Sequence, residues 1–89
     1  MKYYLATVNM TIGEYDATTS IRFATDQDPS EVHNHIVKDW WGKPDKIDDD
    51  TYYFFGGEVA VTAGEQIEVS REVFESIPNS IACSFYVRA

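Results

Sequence analysis

The pair Gly13-Glu14 constrains this chain more than any other two residues. Gly followed by a polar residue suits a two-residue type II′ hairpin loop, whose backbone twist matches that of the strands it joins. With that loop, Ile12 opposes Tyr15, Met10 opposes Ala17, Val8 opposes Thr19, Ala6 opposes Ile21 and Tyr4 opposes Phe23. Directly opposed residues share one face of a sheet, and nearly all of these are apolar. A single register therefore turns one apolar face inward, and a one-residue slip turns it out again. The sequence predicts a hairpin of two long strands, the first beginning at once at the N-terminal end.

The next segment carries helix punctuation. Asp28-Pro29-Ser30-Glu31 places an N-cap Asp, a Pro at the first helical position and a Glu at the third, an arrangement that satisfies free amides and suits the helix dipole. Gly42 and Pro44 are stop signals, so a helix is predicted over 29–41. At helical spacing Val32, His33, Ile36, Val37 and Trp40 fall on one side, while Glu31, Asn34, His35, Lys38 and Asp39 fall on the other; Trp41 sits at the edge of the apolar stripe. That pattern is an amphipathic helix laid on the hairpin's inner face.

Residues 43–50 read as a polar loop. A second hairpin follows, with strands 51–55 and 58–62 around Gly56-Gly57; it opposes Phe54 to Val59 and Tyr52 to Val61. Ala63-Gly64-Glu65 reads as a turn or a bulge within one long bent strand, with Ile67 and Val69 continuing the inward set. Ser70 suits the cap of a short helix over 71–77, ended by Pro78-Asn79. A last strand, 80–88, alternates Ile81, Cys83, Phe85 and Val87 inward. The order ββαββ(β)αβ, joined by tight hairpins, predicts an α+β fold with a mostly antiparallel sheet of four to six strands in one domain spanning 1–89.

Charge narrows the partners. Fifteen Asp and Glu against seven Lys and Arg give a formal net charge of −8, the wrong sign for direct binding to nucleic acid, which needs clustered cations on phosphates. No stretch approaches the length of a membrane span, and the N-terminal residues lack the apolar run of a signal peptide. One cysteine allows no internal disulfide, in keeping with a reducing cytoplasm.

The residues that invite chemistry have plainer readings beside them. His33-Asn34-His35 on a helix points its two rings far apart, so they do not chelate together. Glu31, His35 and Asp39 form an i, i+4, i+8 stripe that suits either a zinc site completed from elsewhere or a salt-linked face. Asp48-Asp49-Asp50, near Asp45, offers oxygen ligands for calcium or magnesium, but Tyr52 and Tyr53 stand where an EF-hand needs an oxygen ligand and a Gly. Cys83 reads as a small core residue. There is no Gly-x-Ser-x-Gly elbow and no phosphate-loop Lys after Gly56-Gly57. The expectation is no enzyme, no cofactor and no metal.

Surface features remain. Tyr3, Leu5, Tyr53, Phe55 and Tyr86 fall on the sheet face opposite the inward sets, where they either pack under the second helix or form an aromatic binding patch. Acids gather at Asp26/Asp28, along Asp45–Asp50, and at Glu65/Glu68/Glu72/Glu75. Aromatics rimmed by acids suit a basic protein surface, and the residues expected to meet it are Asp45, Asp48, Asp49, Asp50, Tyr53, Phe55 and Trp41. Dimerisation through the outer sheet face is the alternative, and a metal-binding domain or metal-dependent enzyme a further one.

The opening Met1-Lys2-Tyr3-Tyr4-Leu5-Ala6-Thr7-Val8 resembles that of small acidic proteins of phages and other mobile elements, as do Phe55-Gly56-Gly57-Glu58-Val59-Ala60-Val61 and Ile67-Glu68-Val69-Ser70 before a short helix. In size and acidity the chain is similar to anti-CRISPR proteins and other anti-defence inhibitors. The resemblance implies a binding role in the host cytoplasm, against a nucleic-acid-handling machine such as a CRISPR-Cas component, and assigns no residues. Duplex DNA about 30 Å long, roughly the span of such a domain, carries on the order of 18 negative charges. Fifteen acids spread among seven basic residues do not make a full duplex mimic; a local acidic patch is the form that this implication takes.

Overall fold

Gly13 takes a φ of 60°, and around it the first hairpin closes in the expected register. In the computed structural model, which describes residues 1–87, strands β1 (Lys2–Ile12) and β2 (Tyr15–Thr25) pair antiparallel, with Ile12 opposite Tyr15, Ala6 opposite Ile21 and Tyr4 opposite Phe23. Strand β5 (Val59–Val69) pairs antiparallel with the other edge of β1. Beyond β5 lie β4 (Thr51–Phe54) and β3 (Lys46–Asp48), and β6 (Cys83–Val87) lies beside β2. The sheet order is β3-β4-β5-β1-β2-β6, six strands in an α+β fold.

Helix α1 spans Pro29–Lys38. The Asp28 carboxylate accepts a 2.9 Å bond from the Ser30 amide, as its place in the sequence predicts. The helix ends three residues before the expected 41, because the chain turns at Asp39 toward Gly42, whose φ is 84°. The turn frees both tryptophans from helical spacing. Trp40 packs on the core and Trp41 reaches Phe54.

Four further departures have local causes. Residues 46–48, expected as loop, form a strand paired with β4, with the Lys46 ammonium over the Tyr53 ring; all three are exposed, so no burial pattern marked them. Phe55–Gly57 is a 3-10 turn rather than part of a two-residue hairpin, although Phe54 still opposes Val59 and Tyr52 opposes Val61. In β5 the register shifts at Gly64: the Thr7 hydroxyl accepts the Glu65 amide at 3.0 Å, and a Cβ at position 64 would lie 2.1 Å from that oxygen. The bulge inverts the alternation beyond it. Ile67 and Val69 therefore face away from α1, opposite Leu5 and Tyr3, contrary to the expected inward set.

The fourth departure concerns the chain's return. Helix α2 (Arg71–Ser76) is capped by Ser70, whose hydroxyl accepts the Val73 amide at 3.2 Å, and ends one residue before the expected 77. The Ile81 and Ala82 amides then fold onto the Pro78 carbonyl, so strand begins only at Cys83 and leaves Ile81 exposed. Having crossed the outer face with α2, the chain runs parallel to β2, and the sheet is mixed. Phe85 and Val87 pack on the core as expected, whereas Cys83, at the open end of an edge strand, is exposed rather than a core residue. Arg88, expected at the end of this strand, lies outside the described residues.

The core lies between the sheet and α1, where Tyr4, Val8, Ile21, Phe23, Val32, Val37, Phe54 and Val61 are buried. Helix α2 covers a smaller area on the other face. Phe74 is buried there, with Tyr3 at 5.0 Å and Tyr86 at 5.7 Å between ring centroids. Beneath it the Arg22 guanidinium, 7% exposed, donates to the Phe74 carbonyl and, at 2.6 Å, to Asn79 Oδ1. Along β2 the burial changes abruptly: residues 21–25 are all buried, and residues 15–20 are exposed or, at Thr19, partly so. Among the described residues no helix is long and apolar enough to cross a membrane.

Candidate functional site: an acidic, aromatic end of the sheet

The loop after α1, the 3-10 turn and the first hairpin loop meet at one end of the sheet. The Asp45 amide donates to the Tyr53 carbonyl at 2.8 Å, and the Asp45 carboxylate accepts the Gly56 amide at 2.8 Å. This grip holds the 3-10 turn, in which Phe55 has a φ of 53°. Such a conformation is costly for a bulky residue and persists only where its surroundings impose it. The Phe55 ring is presented outward, 63% exposed, with the Trp41 ring 5.7 Å away; Trp41 in turn packs edge-on against Phe54 at the same distance. The Gly13 amide donates to the Glu58 carbonyl at 3.0 Å, which ties the two turns together.

The registers extend this end across the sheet. On the α1 face Phe54, Val59, Ile12 and Tyr15 form one row over four strands. Helix α1, with 10 residues, is about 15 Å long, whereas a strand of 11 residues runs about 36 Å. The helix stops short of the row's β1-β2 end, so Ile12 is exposed and Tyr15 is 78% exposed. Glu14 lies in the first hairpin loop, Glu58 directly after the 3-10 turn, and the Asp45 carboxylate on that turn. Neither residues 3–21 nor residues 47–70 contain a Lys, Arg or His, so Glu14, Asp16, Glu58 and Glu65 stand in stretches of chain with no cation of their own.

Of the residues expected to bind a partner, the fold brings Trp41, Asp45 and Phe55 together. Asp48, Asp49 and Asp50 sit at the opposite end of β4, where Asp48 pairs with Thr51 across the β3-β4 turn and Asp49 has a φ of 57°. Four residues of strand separate them from Phe55, about 13 Å. Tyr53 points to the other face, where the Lys46 ammonium lies 5.7 Å from its ring. Its neighbour Tyr52 is buried, and burial, with the Asp50 charge adding to it, holds its phenol above the ordinary value. Tyr3 and Tyr86 pack on Phe74. Ile12, Glu14, Tyr15 and Glu58 join the site without having been expected there. The signal for them lay in the strand outrunning the helix, which the punctuation of both elements already contained.

Both histidines lie on α1, away from this end of the sheet. His33 is buried, its Nε2 2.8 Å from the Thr7 carbonyl and its Nδ1 3.2 Å from the Gln66 side-chain Oε1. It serves the bulge, as a hydrogen-bonded core residue. His35 lies 3.5 Å from Asp39 on the exposed side of α1. Among the described residues no three His, Cys, Asp or Glu side chains gather as metal ligands. Of the acids on β5 and α2, Glu68 faces Lys2 at 3.9 Å and Glu75 pairs with Arg71 at 2.9 Å. A groove of about 410 Å³ opens on the outer face between Leu5, Ile67, Ile77 and Ile81, with Glu65 at its lip. It forms because the bulge turned Ile67 to that side. No protein-family model matches the chain, and neither a curated protein nor a solved structure matches it.

Proposed function

We propose that this chain is a non-enzymatic acidic binding module that occupies a basic, nucleic-acid-binding surface of another protein, as an anti-defence inhibitor directed at a CRISPR-Cas component does. The observation that carries the reading is Phe55, held in a left-handed conformation by Asp45 and exposed beside Trp41. Strain maintained to present an apolar ring to solvent is the mark of a contact residue. The carboxylates around it supply attraction and orientation for a cationic partner. Asp48–Asp50 add a second acidic point about 13 Å along the same hairpin. On this reading the chain acts in the host cytoplasm, where the exposed Cys83 thiol stays reduced.

Immobilised chain challenged with host lysate tests the reading. The retained protein is expected to elute with a short DNA duplex and with rising salt, because both compete for its basic surface. Columns carrying Phe55→Ala or Asp45→Asn are expected to retain about tenfold less. A retained protein indifferent to duplex, salt and both substitutions overturns the proposal.

A further inference from the structure

Strand β6 covers only residues 21–25 of β2. Residues 15–20 therefore form an open sheet edge among the described residues. In a two-residue hairpin the closing pair exchanges both of its backbone bonds, and hydrogen-bonded residues alternate from there. Ile12 and Tyr15 close the loop, so Asp16, Thr18 and Ser20 direct their amides and carbonyls away from β1. Folded proteins usually blunt such an edge with Lys, Pro, a bulge or a covering loop. This one, Tyr-Asp-Ala-Thr-Thr-Ser, has no Lys and no Pro, and it pairs with β1 without a register shift.

We propose that residues 15–20 of β2 are a docking edge for an extended, basic segment of a partner protein, which adds to the sheet as a further strand. Charge complementarity selects this occupant. The edge lies within the stretch of 3–21 that holds Glu14 and Asp16 and no cation, and a second copy of this chain would bring the same sign to meet it. The two faces specify the segment further. On the α1 side it runs beside the exposed Tyr15 and Ala17, on the other beside Asp16, Thr18 and Ser20. Strand addition takes affinity from main-chain bonds and specificity from alternate side chains. The fitting segment thus alternates apolar with Lys, Arg or hydroxyl residues. The inference shares with the function proposed above the basic character of the partner and, at the hairpin end, Glu14 and Tyr15.

A fluorescein-labelled peptide, Lys-Val-Lys-Tyr-Arg-Val-Lys-Thr, tests it by anisotropy against a peptide of the same composition with its apolar residues contiguous. The alternating peptide is expected to bind about tenfold more tightly. N-methylation at alternate residues is expected to abolish binding in one phase and spare it in the other, because only every second peptide amide faces β2. This arm leaves the protein unaltered. Thr18→Pro, which removes an outward amide, is expected to abolish binding, while Phe55→Ala is expected to leave it unchanged. Equal binding of the two peptides, equal effects of the two methylation phases, or loss of binding on Phe55→Ala alone overturns the proposal; the last puts the peptide on the aromatic end and leaves the function proposed above standing. Sedimentation showing a dimer that Thr18→Pro dissolves also overturns it, since the edge then belongs to a second copy.

Discussion

The two halves of β2 are one strand in one sheet, yet they live in different surroundings. Residues 21–25 have α1 over one face, α2 over the other and β6 along the edge, and all five are buried, including Arg22 and Thr25. Residues 15–20 have β1 on one side and little else. Burial here follows the reach of the covering elements rather than the composition of the strand. The proximal half carries an Arg and a Thr into the interior, while the distal half leaves a Tyr and an Ala in solvent. The first half is where stability resides, and the second is where surface is available for recognition.

Hydrogen exchange gives the largest expected contrast. Amides of Ile21 to Thr25 pair on both sides of the strand and should exchange only through large-scale opening. Those of Asp16, Thr18 and Ser20 face solvent and should exchange orders of magnitude faster. Uniform protection along β2, measured by NMR, would show that the strand opens as a single unit. Truncation comes next. Phe74→Ala, under the proximal half, should cost about 3–5 kcal/mol in urea unfolding, whereas Tyr15→Ala in the distal half should stay within about 0.5 kcal/mol. Equal losses would mean that both halves contribute alike to stability.

Gly64→Ala probes the boundary between the halves. Its Cβ meets the Thr7 hydroxyl, so a loss of about 1–3 kcal/mol is expected. Adding Thr7→Ala removes the colliding oxygen, and a double-mutant cycle should recover part of that loss. The smallest effect is a pH dependence at Tyr52, under α1. Burial, and secondarily Asp50, raise its phenol above the ordinary value of about 10. The neutral form is favoured in the fold, so its contribution is intact below pH about 10 and is lost as pH rises through the folded value. The Tm of the wild type should fall more steeply above pH about 10 than that of Tyr52→Phe.

Much of this organisation was legible in the sequence. Gly13-Glu14 set the register of β1 and β2 because a two-residue loop leaves no freedom in the pairing. Asp28 and Pro29 set the start of α1 because cap chemistry is local. The end of α1 was less legible, since Trp40 and Trp41 continue an apolar stripe after the backbone has already turned. The bulge was marked by Gly64 but its consequence was not: whether Ile67 faces in or out depends on a contact with Thr7, far away in the chain. The parallel placement of β6 was hidden for the same kind of reason, because alternation in a strand specifies a face and not a direction. Of the candidate site, Trp41, Asp45 and Phe55 were read as one surface and lie together. Asp48–Asp50 were read with them but lie at the far end of β4, because residues 46–48 form a strand whose exposed side chains carry no periodic signal.

The pairing of β6 with β2 also bears on the order of assembly. Hairpins such as β1-β2 close over a few residues, but Cys83 reaches Ile21 only after most of the chain has been traversed, and long closures are slow. Until that closure, β2 presents its whole length as an open edge rather than residues 15–20 alone. Refolding molecules thus pass through an interval in which they are stickier than the finished protein. The yield of refolding should fall with protein concentration, and the loss should be steeper than any from association of the native chain.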